Sequence, residues 1–278
     1  MQQVISQKQN PLIDIIVCIK QVPGTSEVNL DEHGNLIRDG LDAKMNPFDL
    51  FAIESAMQLR DLFKETCKIN KIKVLSMGPP QASAVIKEAF MMGVDEGFLL
   101  SDRKFAGSDV WATSYTLSQG VKKIGIPSLI ICGKQTTDGD TAQVGAELAE
   151  FLNIPHVTNV RKIVSLTTSS IVLEIDLPTV IQTVEIELPC LITVEKDIYQ
   201  PRLPSFKRKL LTKDWKVNML SFKDLEDQSD LNYGMNGSPT KVQRVFPPES
   251  KKDREVWRGS DQELADKIFQ KLKEKKVI

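Results

Sequence analysis

The residues best suited to chemistry lie between Gly133 and Gly145, in GKQTTDGDTAQVG. This stretch follows SLIIC (Ser128 to Cys132), an apolar run that reads as a fully buried strand. It precedes AELAEFL (Ala146 to Leu152), whose spacing suits an amphipathic helix. Backbone N–H groups at such a strand–loop–helix junction have no partner inside the helix, and the helix dipole makes the spot mildly positive. That is the physics of a phosphate cradle. The stretch matches neither GxxxxGK[ST] nor GxGxxG, so the standard phosphate-loop patterns lend no support. Local physics leaves a second reading equally open, a plain strand–helix turn in which Asp138 or Asp140 caps the helix.

Other candidates for chemistry are few. The four cysteines, Cys18, Cys67, Cys132 and Cys190, are far apart and form no CxxC pair, which argues against a metal or iron–sulfur site. Cys18, Cys132 and Cys190 each fall in an apolar, strand-like run and read as small core residues. The only histidines are His33, in the hairpin-like DEHGN, and His156, where a strand begins after Pro155; both read as structural. The chain offers neither a Ser/His/Asp triad nor HExxH, so no protein-borne catalytic residue is expected. Any catalysis would be carried by a bound cofactor.

The elements that must hold the Gly133–Gly145 loop alternate between strand and helix. DIIVCIK (Asp14 to Lys20) reads as the first buried strand, and VNLDEHGNLIRD (Val28 to Asp39) as a hairpin excursion. MNPFD then opens a helix, with Asn46 as N-cap, Pro47 at the first helical position and Asp49 favouring the dipole. Phe48, Ala52, Ala56, Leu59 and Phe63 recur along it at helical spacing. KVLSMG (Lys73 to Gly78) and GFLLSD (Gly97 to Asp102) are further strands. Between them a helix runs from near Gln81 to a closing Gly93, and another starts at Ser108–Asp109 and runs to about Gly125. The alternation predicts an α/β fold, a parallel sheet with helices on both faces. Ligands of such sheets bind beyond the carboxyl ends of the strands, at a topological switch point. CIKQVPG, MNPFD, SMGPPQ and GKQTTDGDTAQ are therefore expected to converge on one pocket.

The pattern changes after Pro155. VTNVRKIVSL, SSIVLEIDL and TVIQTVEIEL alternate as antiparallel strands, and LPCLITV is one more buried strand. A Pro-punctuated loop, Glu195 to Lys209, follows. From about Thr212 the chain is charged and poor in core residues, which predicts an arm outside the core. That arm ends in an amphipathic helix with Leu264, Ile268, Phe269 and Leu272 on one face, and it needs a partner surface. There is no convincing internal repeat.

The 278 residues carry 36 Lys+Arg against 37 Asp+Glu, and a net charge of −1 argues against nucleic acid as a partner. No apolar run reaches membrane-spanning length, and the polar start MQQVISQKQNPL lacks the apolar core of a signal peptide. A cytoplasmic protein without membrane insertion is the expectation.

CIKQVPGTSEV, KMNPFDLFAIESAMQLRD, SMGPPQA, GKQTTDGDTAQVGAELAEFLNIPHVTNV and LPCLITVEKDIYQPRLPS occur in that order. Together they resemble the β subunit of electron-transfer flavoproteins over Asp14 to about Lys209, and over the terminal helix more loosely. The resemblance implies an α/β domain of the adenine-nucleotide α-hydrolase type over residues 1–211. It also implies a C-terminal arm, 212–278, that packs on an α subunit in a heterodimer. Some members hold AMP structurally in the β subunit; others hold a second FAD, oxidise NADH and bifurcate the electron pair. The loop DGDTAQ resembles the bifurcating kind. On this basis FAD is the expected cofactor, AMP the alternative, and NAD a transient substrate. A flavin-containing dehydrogenase is the expected partner, and ferredoxin a further candidate acceptor of the complex.

The resemblance also implies site residues: Cys18, Asn46, Ser76, Met77, Gln81 and Gln135, with Asp138, Gly139, Asp140, Thr141, Ala142 and Gln143 from the loop. Gly139 would allow close backbone approach to a pyrophosphate, Asn46 would read an adenine or ribose edge, and Asp138 and Asp140 would turn away and cap the backbone. Ile198 aligns with the family's apolar docking anchor, with Tyr199 beside it. A universal-stress-type nucleotide-binding module is the rival reading, but it leaves the Tyr199–Pro204 loop and the arm unexplained. A nucleotide hydrolase on the same scaffold lacks a base or metal cluster.

Overall fold

The computed structural model describes residues 12–24, 43–65, 67–243 and 255–278. The expected hairpin at Val28 to Asp39, with His33, lies outside them.

Eleven strands occur among these residues. They are β1 (Leu12–Cys18), β2 (Gln21–Pro23), β3 (Ala43–Met45), β4 (Lys68–Met77), β5 (Glu96–Leu100), β6 (Leu129–Gly133), β7 (His156–Leu166), β8 (Ser170–Asp176), β9 (Ile181–Glu187), β10 (Cys190–Val194) and β11 (Asn218–Leu220). The helices are α1 (Pro47–Leu62), α2 (Ser83–Met92), α3 (Val110–Ile124), α4 (Val144–Leu152), α5 (Phe206–Leu211), α6 (Gly234–Gly237) and α7 (Asp261–Glu274). Nine strands form one sheet in the order β11-β5-β4-β1-β6-β10-β7-β8-β9, while β2 and β3 pair separately. The run from β11 to β7 is parallel, and β8 and β9 extend it antiparallel. β7 thus joins a parallel partner on one side and an antiparallel one on the other.

The sheet separates two cores. On one face, Ala52, Ile53 and Ala56 of α1 and Ile86 and Phe90 of α2 pack on Ile15, Val17 and Val74. On the other, Leu117 and Val121 of α3 and Leu148 and Ala149 of α4 cover Ile16, Leu75 and Ile130. Strands buried on both faces read as continuous apolar runs, which is why SLIIC and DIIVC were legible. β1 is central, with β4 on one flank and β6 on the other. The chain reverses its direction of travel across the sheet there, and this is the switch point.

The expectation that the chain leaves the core at Thr212 is corrected. β11 joins the sheet beside β5, and Phe222, Leu225 and Tyr233 are buried in the second core. They sit in or beside two short 3₁₀ turns, scattered among polar residues, so no continuous apolar stripe announced them. The helix α7 matches its reading. It opens with a capping box between Ser260 and Glu263, and Ile268 and Phe269 are about half exposed, at 51% and 54%. Among the described residues no helix is long and apolar enough to cross a membrane.

Candidate functional site

A cavity of about 330 Å³ opens beyond the carboxyl ends of β1, β4 and β6. Its walls are Cys18 to Lys20 after β1, Met77 at the end of β4, the β6–α4 loop, and Ser108 to Val110 at the start of α3. The N-termini of α3 and α4 both face it. Asp109 caps α3, its carboxylate accepting from the Ala112 N–H at 3.1 Å. α4 begins at Val144, earlier than the sequence suggested, with Gln143 as N-cap residue and no side-chain cap. The backbone N–H groups of Thr141, Ala142 and Gln143 take no hydrogen-bond partner among the described residues. They are therefore free to serve an anion.

The loop's unusual backbone falls on residues other than glycine. Asp140 and Ala142 have φ of 50° and 55°, and Ala142 forms part of the wall. Non-glycine residues held there store strain, which concentrates at ligand sites. Gly139 does not occupy that region, and a Cβ built on it meets only Thr136 Oγ1 at 3.5 Å. Gly133, at the end of β6, is the position that demands glycine. A Cβ there would lie 2.5 Å from Asp49 Oδ1 and 2.8 Å from the Phe48 carbonyl carbon. Its absence lets α1 abut the sheet.

Of the residues expected at the site, Cys18, Met77, Gln135, Gly139, Thr141, Ala142 and Gln143 line this cavity. Asn46, Ser76, Gln81, Asp138 and Asp140 do not, and each has a physical reason. Asn46 is fully buried behind the wall. Its amide donates to Asp49 Oδ1 and the Gln135 carbonyl, both at 2.9 Å, and accepts from the Thr137 N–H at 3.2 Å. With both amide hydrogens committed, it holds the loop and does not read a ligand edge. Nor does it cap α1 with its side chain. Ser76 is fully buried with its hydroxyl unpartnered among the described residues, and Gln81 is exposed. Asp138 and Asp140 turn away as expected but cap no helix. Asp138 pairs with Lys20 Nζ at 2.8 Å, and Asp140 accepts from Gln135 Nε2 at 2.9 Å.

Among the wall residues that sequence reasoning did not assign to the site, Asp49, Lys20 and Cys132 carry titratable groups into the wall. Asp49, read only as a dipole partner, is buried against the cavity and accepts from the Lys20 N–H at 2.7 Å. Burial pushes its carboxyl up to about 7, against the hydrogen bonds from Asn46 and Lys20. Lys20 brings a cation to the same wall. Cys132, read as core, pairs in register with Cys18 across β1 and β6. Their mutual hydrogen bond, with burial, raises the Cys132 thiol well above its ordinary value, so it stays protonated.

The proposed docking loop is anchored at both ends. Lys134 Nζ pairs with Glu195 at 2.6 Å, and the Ser205 N–H donates to the Met91 carbonyl at 3.0 Å. Ile198 and Tyr199 fold back onto the larger core, and burial raises the Tyr199 hydroxyl. Ile198, the expected docking anchor, is thus only partly exposed in this chain. The projecting side chain is Leu203, 87% exposed.

A parallel α/β sheet with a cavity at its switch point, floored by free backbone N–H groups and two helix starts, defines a domain of the nucleotide-cradling class. The comparisons with known proteins place the chain further. Residues 34–219 match the electron transfer flavoprotein domain. The chain is 39% identical over 266 residues to the caffeyl-CoA reductase-Etf complex subunit CarD of Acetobacterium woodii, covering 95% of this chain and 99% of that one. It is 39% identical over 284 residues to the electron transfer flavoprotein subunit beta of Megasphaera elsdenii, covering 96% and 100%. It is 40% identical over 276 residues to the subunit beta of Clostridium acetobutylicum, again covering 96% and 100%. The chain belongs to the electron transfer flavoprotein family, as a β-type subunit.

Proposed function

We propose that this chain is the β subunit of a heterodimeric electron-transfer flavoprotein that binds FAD in the β1/β6 cavity. It takes electrons from NADH and passes them by way of the α-subunit flavin to a partner dehydrogenase, with electron bifurcation or confurcation. The observation that carries this reading is the β6–α4 loop. There, unpartnered N–H groups at Thr141 to Gln143, a strained Ala142 and the start of α4 face one cavity. Those features fit a pyrophosphate. Bound there, FAD would supply the redox chemistry.

The chain's own residues bind and orient. Asn46 and Asp49 fix the loop from behind. Asp138 neutralises Lys20 on one side, so the cavity keeps a cation without a large net field. Relatives in complexes with acyl-CoA chemistry support the partner assignment. One is the caffeyl-CoA reductase-Etf subunit; another is the acryloyl-CoA reductase electron transfer subunit gamma of Anaerotignum propionicum, 36% identical over 274 residues. AMP in the same cavity is the alternative, since both nucleotides present a phosphate to the loop.

The test is the flavin and AMP content of the chain co-expressed with its α subunit, followed by anaerobic addition of NADH. A second flavin per heterodimer that NADH reduces is the expected result. A single flavin with bound AMP, and no reduction by NADH, would overturn it.

A further inference from the structure

The segment from Tyr233 to Thr240 straps across the start of α3. Tyr233 anchors it in the second core, its hydroxyl donating to the Asp227 carbonyl at 2.8 Å. Gly234 lies so close to the loop before α3 that a Cβ on it would sit 2.2 Å from the Lys104 carbonyl oxygen. Ser238 is buried. Its hydroxyl donates to the Gly234 carbonyl at 2.7 Å and accepts from the Asp109 N–H at 2.9 Å. Thr240 closes the strap. Its N–H and its hydroxyl both donate to Asp109 Oδ2, at 2.9 and 2.8 Å.

Asp109 stands in the wall of the β1/β6 cavity, opposite the loop whose free N–H groups suit a phosphate. A carboxylate and a phosphate carry the same sign, and at a partly desolvated wall they repel. Capping α3 occupies only Oδ1, which accepts from the Ala112 N–H. The strap occupies Oδ2. Neither Ala112 nor Thr240 lines the cavity, so both oxygens are aimed out of it. Burial opposes the Asp109 charge, yet the bonds from Ala112 and Thr240 outweigh it and hold the carboxyl below its usual range. The charge persists, and the strap decides where it points.

We propose that Ser238 and Thr240 are positioning residues for the nucleotide: together they hold the Asp109 carboxylate out of the cavity and clear that wall for a phosphate. This rests on the nucleotide reading of the cavity under the proposed function, and it gives a task to two residues that do not reach the cavity themselves.

The experiment uses the complex with the α subunit, freed of the nucleotide in the β subunit, and titrates it with AMP and with adenosine by calorimetry. AMP carries the phosphate common to both nucleotides considered for the cavity, and adenosine lacks it. Ser238→Ala with Thr240→Val is expected to weaken AMP binding roughly tenfold, the size of one screened repulsion between like charges, and to leave adenosine unchanged. Thr240→Val alone keeps its N–H bond to Asp109 and should show a smaller loss of the same kind. Adding Asp109→Asn removes the charge and keeps a good N-cap residue, so it should restore most of the AMP affinity. If the double variant does not assemble with the α subunit, Thr240→Val with and without Asp109→Asn carries the same comparison. A wild-type complex that binds neither AMP nor FAD would remove the nucleotide reading, and this proposal with it. Wild-type AMP binding with an unchanged Kd in the strap variants would overturn the positioning role alone. Equal losses for AMP and adenosine, or no recovery with Asp109→Asn, would make the strap a support for α3 only and overturn the proposal.

Discussion

Asp49→Asn should change how the stability of this chain depends on pH. Asp49 is buried against the cavity, and its carboxyl is raised from 3.8 to about 7. Between those values the folded chain keeps a proton that the unfolded chain has released. Protonation therefore favours folding there, and the advantage is lost as pH climbs toward 7. From pH 5 to pH 8 about two pH units of that window are crossed, which at roughly 1.4 kcal/mol each comes to about 3 kcal/mol. Asparagine does not titrate. Its amide still accepts from the Lys20 N–H but turns N–H toward Asn46 Nδ2, and that donor-to-donor contact costs about 1–3 kcal/mol. The variant should thus be less stable than wild type at pH 5, and the gap should close by about 3 kcal/mol by pH 8. Urea unfolding followed by tryptophan fluorescence, for both proteins at matched pH and fixed partner concentration, reads the difference directly. Other titrating groups cancel in the comparison. A wild-type-to-variant gap that stays constant from pH 5 to pH 8 would refute the buried, protonated carboxyl.

Gly133→Ala should lower stability by about 1–3 kcal/mol and loosen α1, since the new Cβ meets Asp49 and the Phe48 backbone; thermal unfolding checks it. Gly139→Ala has room and should leave unfolding unchanged, so any fall in bound nucleotide would report the ligand's own approach to that residue. Ala142→Gly should raise stability by about 0.5–1 kcal/mol by relieving a left-handed backbone, while Ala142→Val should lower it; paired urea midpoints decide. Removing residues 261–278 should release the α subunit, because the apolar face of α7 is left exposed by this chain. Gel filtration with the truncated chain still carrying the α subunit at normal yield would contradict this.

The parallel half of the fold was legible because its strands are buried on both faces and its helices carry clear starts, Pro47 and Asp109 among them. The cavity was legible for the same reason: a strand followed by a glycine- and threonine-rich loop marks the carboxyl end of a sheet. What escaped was side-chain direction. Asn46 sits at the right junction, but its amide is consumed by Asp49 and Gln135. Ile198 and Leu203 are both apolar residues in a charged loop, and only the fold shows that one turns inward and the other out. The arm was misread because Phe222, Leu225 and Tyr233 meet the core singly, from turns. Asp49 drew attention only through the helix dipole, since its burial depends on Gly133 arriving from a strand far along the chain.

The sheet ends at two open rims, and they are guarded differently. β11 is only three residues long, too short a template for a neighbouring strand. β9 is seven residues long and among the described residues pairs with β8 alone, leaving about 23 Å of backbone on its outer side at roughly 3.3 Å per residue. Glu185 and Glu187 project from it into solvent. Two copies meeting rim to rim would bring like charges together, a device that blocks self-association of sheets. The guard thins where the strand starts, at Val180 and Ile181, 56% and 57% exposed. Aggregation of the chain on its own would begin at that corner.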